Sequence, residues 1–186
     1  MNEKGNYKNI HQDLIDRCRS GDSKAQFEIY RLYYKAMYNT SLRIVEDEQE
    51  AEDLMQESFF KAFDKIATYR NEVSFGAWLR RIVVNSSLDA LKKRRLSFLP
   101  IEEAYGLKDE QTEETDFSVD TIDQLKDAIE KLPEGYKLVI TLHLIEDYDH
   151  DEIANMLGIT ASTSRSQLAR AKQKLLELLR NNPKTK

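Results

Sequence analysis

The sequence predicts an all-α protein built from two small helical domains joined by an acidic linker. Apolar residues recur three and four positions apart along most of the chain, which is typical of amphipathic helices. Only six glycines and three prolines interrupt the 186 residues. One stretch, 96–120, has weak periodicity and carries eight acidic residues against one basic residue. The domains are therefore expected at 1–95 and 121–186, with the linker at 96–120.

The composition narrows the class of protein. Charged residues make up 33% of the chain and apolar residues 40%, which indicates a water-soluble protein with a modest core. No apolar run approaches the roughly 18 residues that cross a bilayer, and the start of the chain has no secretory apolar segment. Cys18 is alone and the three histidines are far apart in sequence. We therefore expect an intracellular, cytoplasmic protein without disulfide, metal or cofactor.

The acidic net charge of −5 hides two basic stretches. Residues 80–95 contain six basic side chains against one acid, and residues 160–186 contain seven against one. Local basic surfaces bind polyanions whatever the overall charge, so nucleic acid is a candidate partner. For either stretch alone, the alternative is a solvated helix face.

Eight helices follow from the periodicity and from the helix start and stop signals. Asp22 or Ser23 can cap the second helix, and Pro133 fits the first turn of the sixth. The helices are expected near 10–20, 24–45, 49–67, 74–95, 121–131, 134–146, 149–156 and 160–180.

The third helix presents two unlike faces. One is a broad apolar stripe that we expect to be buried. The other carries Asp53, Gln56, Glu57 and Phe60 at helical spacing, and residues 46–57 hold seven acids and no base. A phenylalanine beside an acidic stripe suits a basic protein partner. The alternative is an ordinary exposed helix with Phe60 partly covered.

The fourth helix is basic. Trp78 is expected to be a core anchor, and the polar loop 67–75 before it contains aromatic residues. A basic helix beside such a loop fits a nucleic-acid strand with an unstacked base. The candidate contact face comprises Arg81, Asn85, Leu88 and Lys92, flanked by Arg80, Arg94 and Arg95.

Residues 148–179 predict a helix-turn-helix. Ile153, Ala154 and Leu157 form a short buried stripe, and Gly158 can adopt the positive φ that ends a helix. Thr160 or Ser162 can cap the next helix. Arginine at the start of that helix can bond guanine and glutamine can bond adenine in a major groove. The alternative is a plain helical hairpin. The candidate readers are Ser162, Arg165, Ser166, Gln167 and Arg170.

Four motifs in order resemble a bacterial RNA polymerase sigma factor of the extracytoplasmic-function (ECF) group of the sigma-70 family. The resemblance covers nearly all the chain, from about Ser20 to Leu179. The first is similar to the core-polymerase-binding motif of region 2, the second to its -10 promoter segment, and the last two to region 4 with its -35 reader. The motifs are Asp53–Phe59, Phe75–Ile82, Leu132–Tyr136 and Glu152–Lys172.

The resemblance implies a transcription initiation factor that gives specificity and is not an enzyme. Asp53, Gln56 and Glu57 would bind the clamp coiled coil of the largest polymerase subunit. Region 4 would contact the flap of the second subunit while its recognition helix reads the -35 element of promoter DNA. Arg81, Asn85 and Lys92, with the 67–75 loop, would engage the -10 element and trap an unpaired base. An anti-sigma factor, soluble or membrane-bound, is a further candidate partner.

Two rival interpretations remain open at the level of sequence. A helix-turn-helix repressor or activator would bind palindromic DNA as a homodimer without polymerase. A helical scaffold that binds only proteins would show no salt-dependent affinity for DNA. The sequence shows no Ser-His-Asp or Cys-His constellation and no phosphate-binding loop, so an enzyme has no residues to support it.

Overall fold

The computed structural model describes residues 9–95 and 122–180, and the chain divides into two compact units, Met1–Leu99 and Pro100–Lys186. All eight predicted helices are present in the described residues. The predicted linker, 96–120, lies outside them. Unit 1 contains α1 (Gln12–Arg19), α2 (Ser23–Val45), α3 (Glu48–Asp64), a 3₁₀ turn (Ile66–Thr68) and α4 (Phe75–Arg95). Unit 2 contains α5 (Ile122–Glu130), α6 (Glu134–Ile140), a π-helical turn (Thr141–Ile145), α7 (His150–Leu157) and α8 (Ala161–Arg180).

The core of unit 1 forms where α2, α3 and α4 pack against one another. The predicted apolar stripes supply it: Met55 and Phe59 come from α3, and Leu79 and Val83 from α4. Each such side chain stabilises the fold by roughly 1.5–3 kcal/mol when it leaves water. The same stripes determine which residues of α3 and α4 remain outside.

Short polar residues set the helix starts in unit 1. Asp22 accepts hydrogen bonds from the Lys24 and Ala25 amides, so Asp22, rather than Ser23, caps α2. The Arg17 guanidinium lies 2.7 Å from the same carboxylate and holds the pKa of Asp22 below its usual value. Asp47 caps α3 by accepting from the Glu50 amide at 2.7 Å. These caps give α3, which carries the acidic face, a defined first turn.

The helix-turn-helix in unit 2 is confirmed. A capping box between Asp149 and Glu152 starts α7, and Gly158 ends it with a φ of 70°. Thr160 accepts from the Thr163 amide at 3.0 Å and begins α8, so Thr160 rather than Ser162 is the cap. Packing of α8 against α6 and α7 buries one side of α8 and leaves the other side outward.

The sixth helix differs from its prediction. We expected one helix over 134–146, but the α-helix ends at Ile140 and a π-helical turn follows. The Glu146 amide there donates to the Thr141 carbonyl, five residues back, at 3.0 Å. Apolar periodicity does not distinguish this wider turn from an α-helix.

In the described ranges, no helix combines the length and apolar character that crossing a bilayer requires.

Candidate protein and nucleic-acid interfaces

The four predicted residues of α3 form one outward face. Asp53, Gln56 and Glu57 are exposed, and the Phe60 ring keeps 74% of its surface in water. An exposed aromatic ring beside carboxylates offers apolar area and negative charge to a basic protein partner. Glu57 also lies 3.0 Å from the Lys61 ammonium one turn away. Beside this face runs an acidic cleft of about 540 Å³, lined by Asp47, Gln49, Glu50, Asp53, Leu54, Glu57 and Arg94.

Three of the predicted nucleic-acid residues on α4 share an exposed face. Arg81, Asn85 and Lys92 point outward, and Arg80 is half-buried. Leu88 was predicted on the same face, and that prediction is wrong because Leu88 is only 3% exposed. The α4 helix packs against both α2 and α3, and the cover that they provide extends to Leu88.

The two arginines at the end of α4 were both predicted to contact nucleic acid. The Arg94 guanidinium makes contacts within unit 1, to the Val45 carbonyl and the Glu50 carboxylate. The side chain of Arg95 lies outside the described residues.

A buried network of hydrogen bonds, which we did not predict, holds the loop between α3 and α4. Tyr69 is buried and donates its hydroxyl to the Val73 carbonyl at 2.6 Å. Asn9 donates to that hydroxyl and accepts from the Phe75 amide at 2.8 Å. Nothing in the sequence marks Asn9, since its partners lie 60 and 66 residues away.

Trp78 is confirmed as a core anchor. Its ring packs against Tyr69 and Phe75, with centroids 5.2 Å and 5.5 Å away.

One residue of the loop retains an unused acceptor. Asn71 has a positive φ of 56°. Its Oδ1 atom is buried without a hydrogen-bond partner in the described part of the chain. A buried acceptor without a donor costs about 1–3 kcal/mol, so this loop conformation lowers the stability of unit 1.

The predicted readers on α8 lie along its first three turns. Ser162, Arg165 and Ser166 are exposed, while Gln167 and Arg170 are half-buried. The two exposed serines leave room for close approach at the helix start, and Arg165 is the first cation along α8. This arrangement fits a groove-reading helix.

Two stacked histidine rings contact the start of α8. The rings of His143 and His150 stack with centroids 4.4 Å apart. The Nδ1 atom of His143 lies 2.8 Å from the Tyr148 carbonyl, and that of His150 lies 2.9 Å from the Ser164 hydroxyl. Burial lowers the pKa of His150, with nearby His143 and Arg165 acting in the same direction. The π-helical turn places His143 in this pair, so sequence spacing gave no signal for it.

Within the described ranges, no three His, Cys, Asp or Glu side chains gather in a metal-ligating group.

Comparison with known families identifies both units. Sigma-70 region 2 matches residues 29–96, and Sigma-70, region 4 matches residues 122–175. These two regions define the class: transcription initiation factors that direct RNA polymerase to promoters.

Individual relatives agree with this class along the chain. The chain is 30% identical to the RNA polymerase sigma-H factor of Pseudomonas aeruginosa over 173 residues, covering 87% of this chain and 90% of that protein. It is 26% identical to the ECF RNA polymerase sigma factor SigW of Bacillus subtilis, covering 90% and 95%. The chain belongs to the sigma-70 family of RNA polymerase sigma factors, in its extracytoplasmic-function group.

Solved structures show the same fold. The chain matches CnrH, solved in complex with the cytosolic domain of CnrY, with a TM-score of 0.55 at 21% identity, over 92% of this chain and 98% of that one. It matches the sigma factor RpoE of Bartonella quintana, solved with the anti-sigma factor NepR, with a TM-score of 0.54 at 22% identity, over 83% and 96%.

Proposed function

We propose that three exposed faces divide the work of this sigma factor. The α3 face binds core RNA polymerase, α4 with the loop before it engages the -10 element, and α8 reads the -35 element. The observation that carries the proposal is the α3 face, where acidic and amide side chains surround a phenylalanine that is 74% exposed. This combination fits a basic, partly apolar partner.

The partner of the α3 face is the basic clamp coiled coil of the largest polymerase subunit. Asp53 and Gln56 offer acceptors on the outer side of the helix, and Phe60 offers apolar area. Glu57 exchanges its intramolecular partner Lys61 for a cation of the clamp. Because this ion pair is solvent-exposed, it contributes about 0–1 kcal/mol and is readily replaced.

The -10 element contacts α4 and the 67–75 loop. Arg81 and Lys92 supply positive charge to the phosphates, and Asn85 supplies a donor and an acceptor between them. The 67–75 loop holds an unpaired base of this element.

The -35 element contacts α8. Arg165 reaches a base edge, with Ser162 and Ser166 at the same end of the helix. Gln167 and Arg170 are half-buried and contribute from the flank. Region 4 contacts the second-subunit flap with surface outside this set.

The same proposal covers location, catalysis and regulation. The protein acts in the cytoplasm by binding, and the polymerase carries out the chemical reaction. Its lone thiol, Cys18, is buried with a pKa raised to about 11 and is not an activated nucleophile. An anti-sigma factor, soluble or membrane-bound, would cover one of the three faces until it is released.

The test adds the purified chain to core RNA polymerase and maps transcripts from a genomic promoter library. Discrete starts that require the chain and share upstream elements support the proposal. The absence of a core complex on a sizing column, together with palindromic DNA binding by the chain alone, would favour a homodimeric regulator.

A further inference from the structure

Arg94 joins the ends of three helices in unit 1. Its Nη1 and Nη2 atoms each lie 3.2 Å from the Val45 carbonyl oxygen. Its Nη1 atom also lies 3.1 Å from the Glu50 carboxylate. Val45 is the last residue of α2 and Glu50 lies in the first turn of α3, while Arg94 itself lies in the last turn of α4.

Each of these partners has a reason to hold a guanidinium. The last carbonyls of a helix have no partner within the helix, and a cation near a helix C-terminus is favourable. Between α2 and α3, Glu46 has a φ of 58°, so the chain reverses sharply there. Arg94 therefore braces the α2–α3 turn from α4.

The brace connects two of the proposed faces. Arg94 and Glu50 both line the acidic cleft beside the α3 face, together with Asp53 and Glu57. On α4, Arg94 lies two residues after Lys92, which belongs to the proposed -10 face. The orientation of the last turn of α4 is thus tied to the first turn of α3.

A direct phosphate contact is the alternative for a basic residue at this position. Such a contact requires the guanidinium to turn its N–H groups toward the solvent. Here both terminal nitrogens bond protein acceptors although 45% of the Arg94 side chain is exposed, so a phosphate contact would compete with these bonds.

We propose that Arg94 is a positioning residue that fixes the end of the -10 helix against the start of the polymerase-binding helix. It does not contact DNA itself. The inference rests on the proposed function, because it presumes that α4 engages the -10 element and α3 binds polymerase.

The test compares Arg94→Ala and Glu50→Ala with two matched controls. Lys93→Ala removes a neighbouring exposed charge, and Glu48→Ala removes another carboxylate of the first turn of α3. Each variant is assembled with saturating core polymerase, and the affinity for a -10 single strand is measured across a salt series. Fluorescence of Trp78, the one tryptophan in the chain, checks that unit 1 is folded.

A brace predicts that Arg94→Ala and Glu50→Ala each weaken binding about fivefold to tenfold, which lies in the range for the net contribution of a typical hydrogen bond. The double variant should be no worse than Arg94→Ala, since both remove the same link. The slope of affinity against salt should match that of the wild type, and Glu48→Ala should have little effect.

A phosphate contact predicts the opposite pattern. Glu50→Ala would then be harmless, and Arg94→Ala would lower the salt slope by about one. That result would overturn the proposal. If Arg94→Ala fails to fold, Arg94→Lys provides the decision, because lysine replaces arginine well at a phosphate and poorly at two divergent acceptors. If the wild-type holoenzyme does not bind the -10 single strand, that result would refute the proposed function instead.

Discussion

The Nδ1 atom of His150 lies 2.9 Å from the Ser164 hydroxyl, which joins the first residue of α7 to a fully buried serine of α8. The contact fixes the two helices of the DNA-reading motif at the end where α8 would enter a groove. His143 stacks on the other side of the His150 ring. The position of the recognition helix therefore depends on an ionisable group.

Acid should loosen the helix-turn-helix. The pKa of His150 is below its ordinary value of 6.5 in the folded chain, so the unfolded state binds more protons below pH 6.5. The stability that neutral His150 contributes is fully present above pH 6.5 and is lost as the pH falls through the folded-state pKa. The intrinsic rate of amide hydrogen exchange falls as the pH is lowered, so the measurement is the protection factor of α7 and α8 amides, which should decrease from pH 7.5 to pH 5.

Substitution identifies the group responsible for this pH dependence. His150→Asn should flatten it, whereas His11→Asn, in unit 1, should leave it unchanged. Equal pH dependence in both variants would show that other groups are responsible. The charged neighbours that act on His150 are His143 in the π-helical turn, Asp149 and Asp151 around the start of α7, and Arg165 on α8.

Reversing one charge on the α3 face should abolish polymerase binding. Glu57→Arg places a cation beside Lys61 and against the basic clamp, and like charges across an interface cost several kcal/mol, about 2 or more. A pull-down with core polymerase measures the effect. Glu48→Arg, an exposed position in the first turn of the same helix and on the side opposite Glu57, is the control and should bind normally. Undiminished binding by a folded Glu57→Arg variant would refute the assignment of this face.

Arg165 should carry sequence information at the -35 element. Arg165→Ala should cost about 1–3 kcal/mol on the preferred element if its guanidinium bonds a base edge. Binding to a panel of single-base variants is the measurement, and discrimination should disappear at one position. An equal loss on every sequence would instead identify Arg165 as a phosphate contact.

The turn of the helix-turn-helix should require glycine. Gly158 has a φ of 70° and nothing within 4 Å of where a Cβ would stand, so Gly158→Ala adds backbone strain without a clash. We expect a loss of about 1–2 kcal/mol in the free energy of unfolding. Gly135→Ala, in the first turn of α6 and also in open space, should cause no loss, because alanine is the better helix former. Similar effects of the two substitutions would contradict the role of the positive φ.

The local signals in the sequence were strong enough for much of the fold. Period and caps located all eight helices in the described residues, and the α3 face appears with all four of its predicted residues exposed. Prediction was weaker on α4. Leu88 follows Arg81 and Asn85 at helical spacing, so the sequence places it on their face. However, α4 is buried on more than one side, and helical spacing does not show how much of its surface the other helices cover.

The sequence by itself determined the helices, the basic and acidic stretches and the family, because these depend on residues that are neighbours along the chain. Only the tertiary structure decided the partners of Arg94 and Asn9 and the stacking of His143 on His150. These contacts join residues from different elements. The Arg94 and Asn9 contacts cross 44 to 66 positions, and the histidine stack depends on a π-helical turn. A charge pattern shows that a side chain is basic, but packing decides whether it faces the solvent or a carbonyl of its own fold.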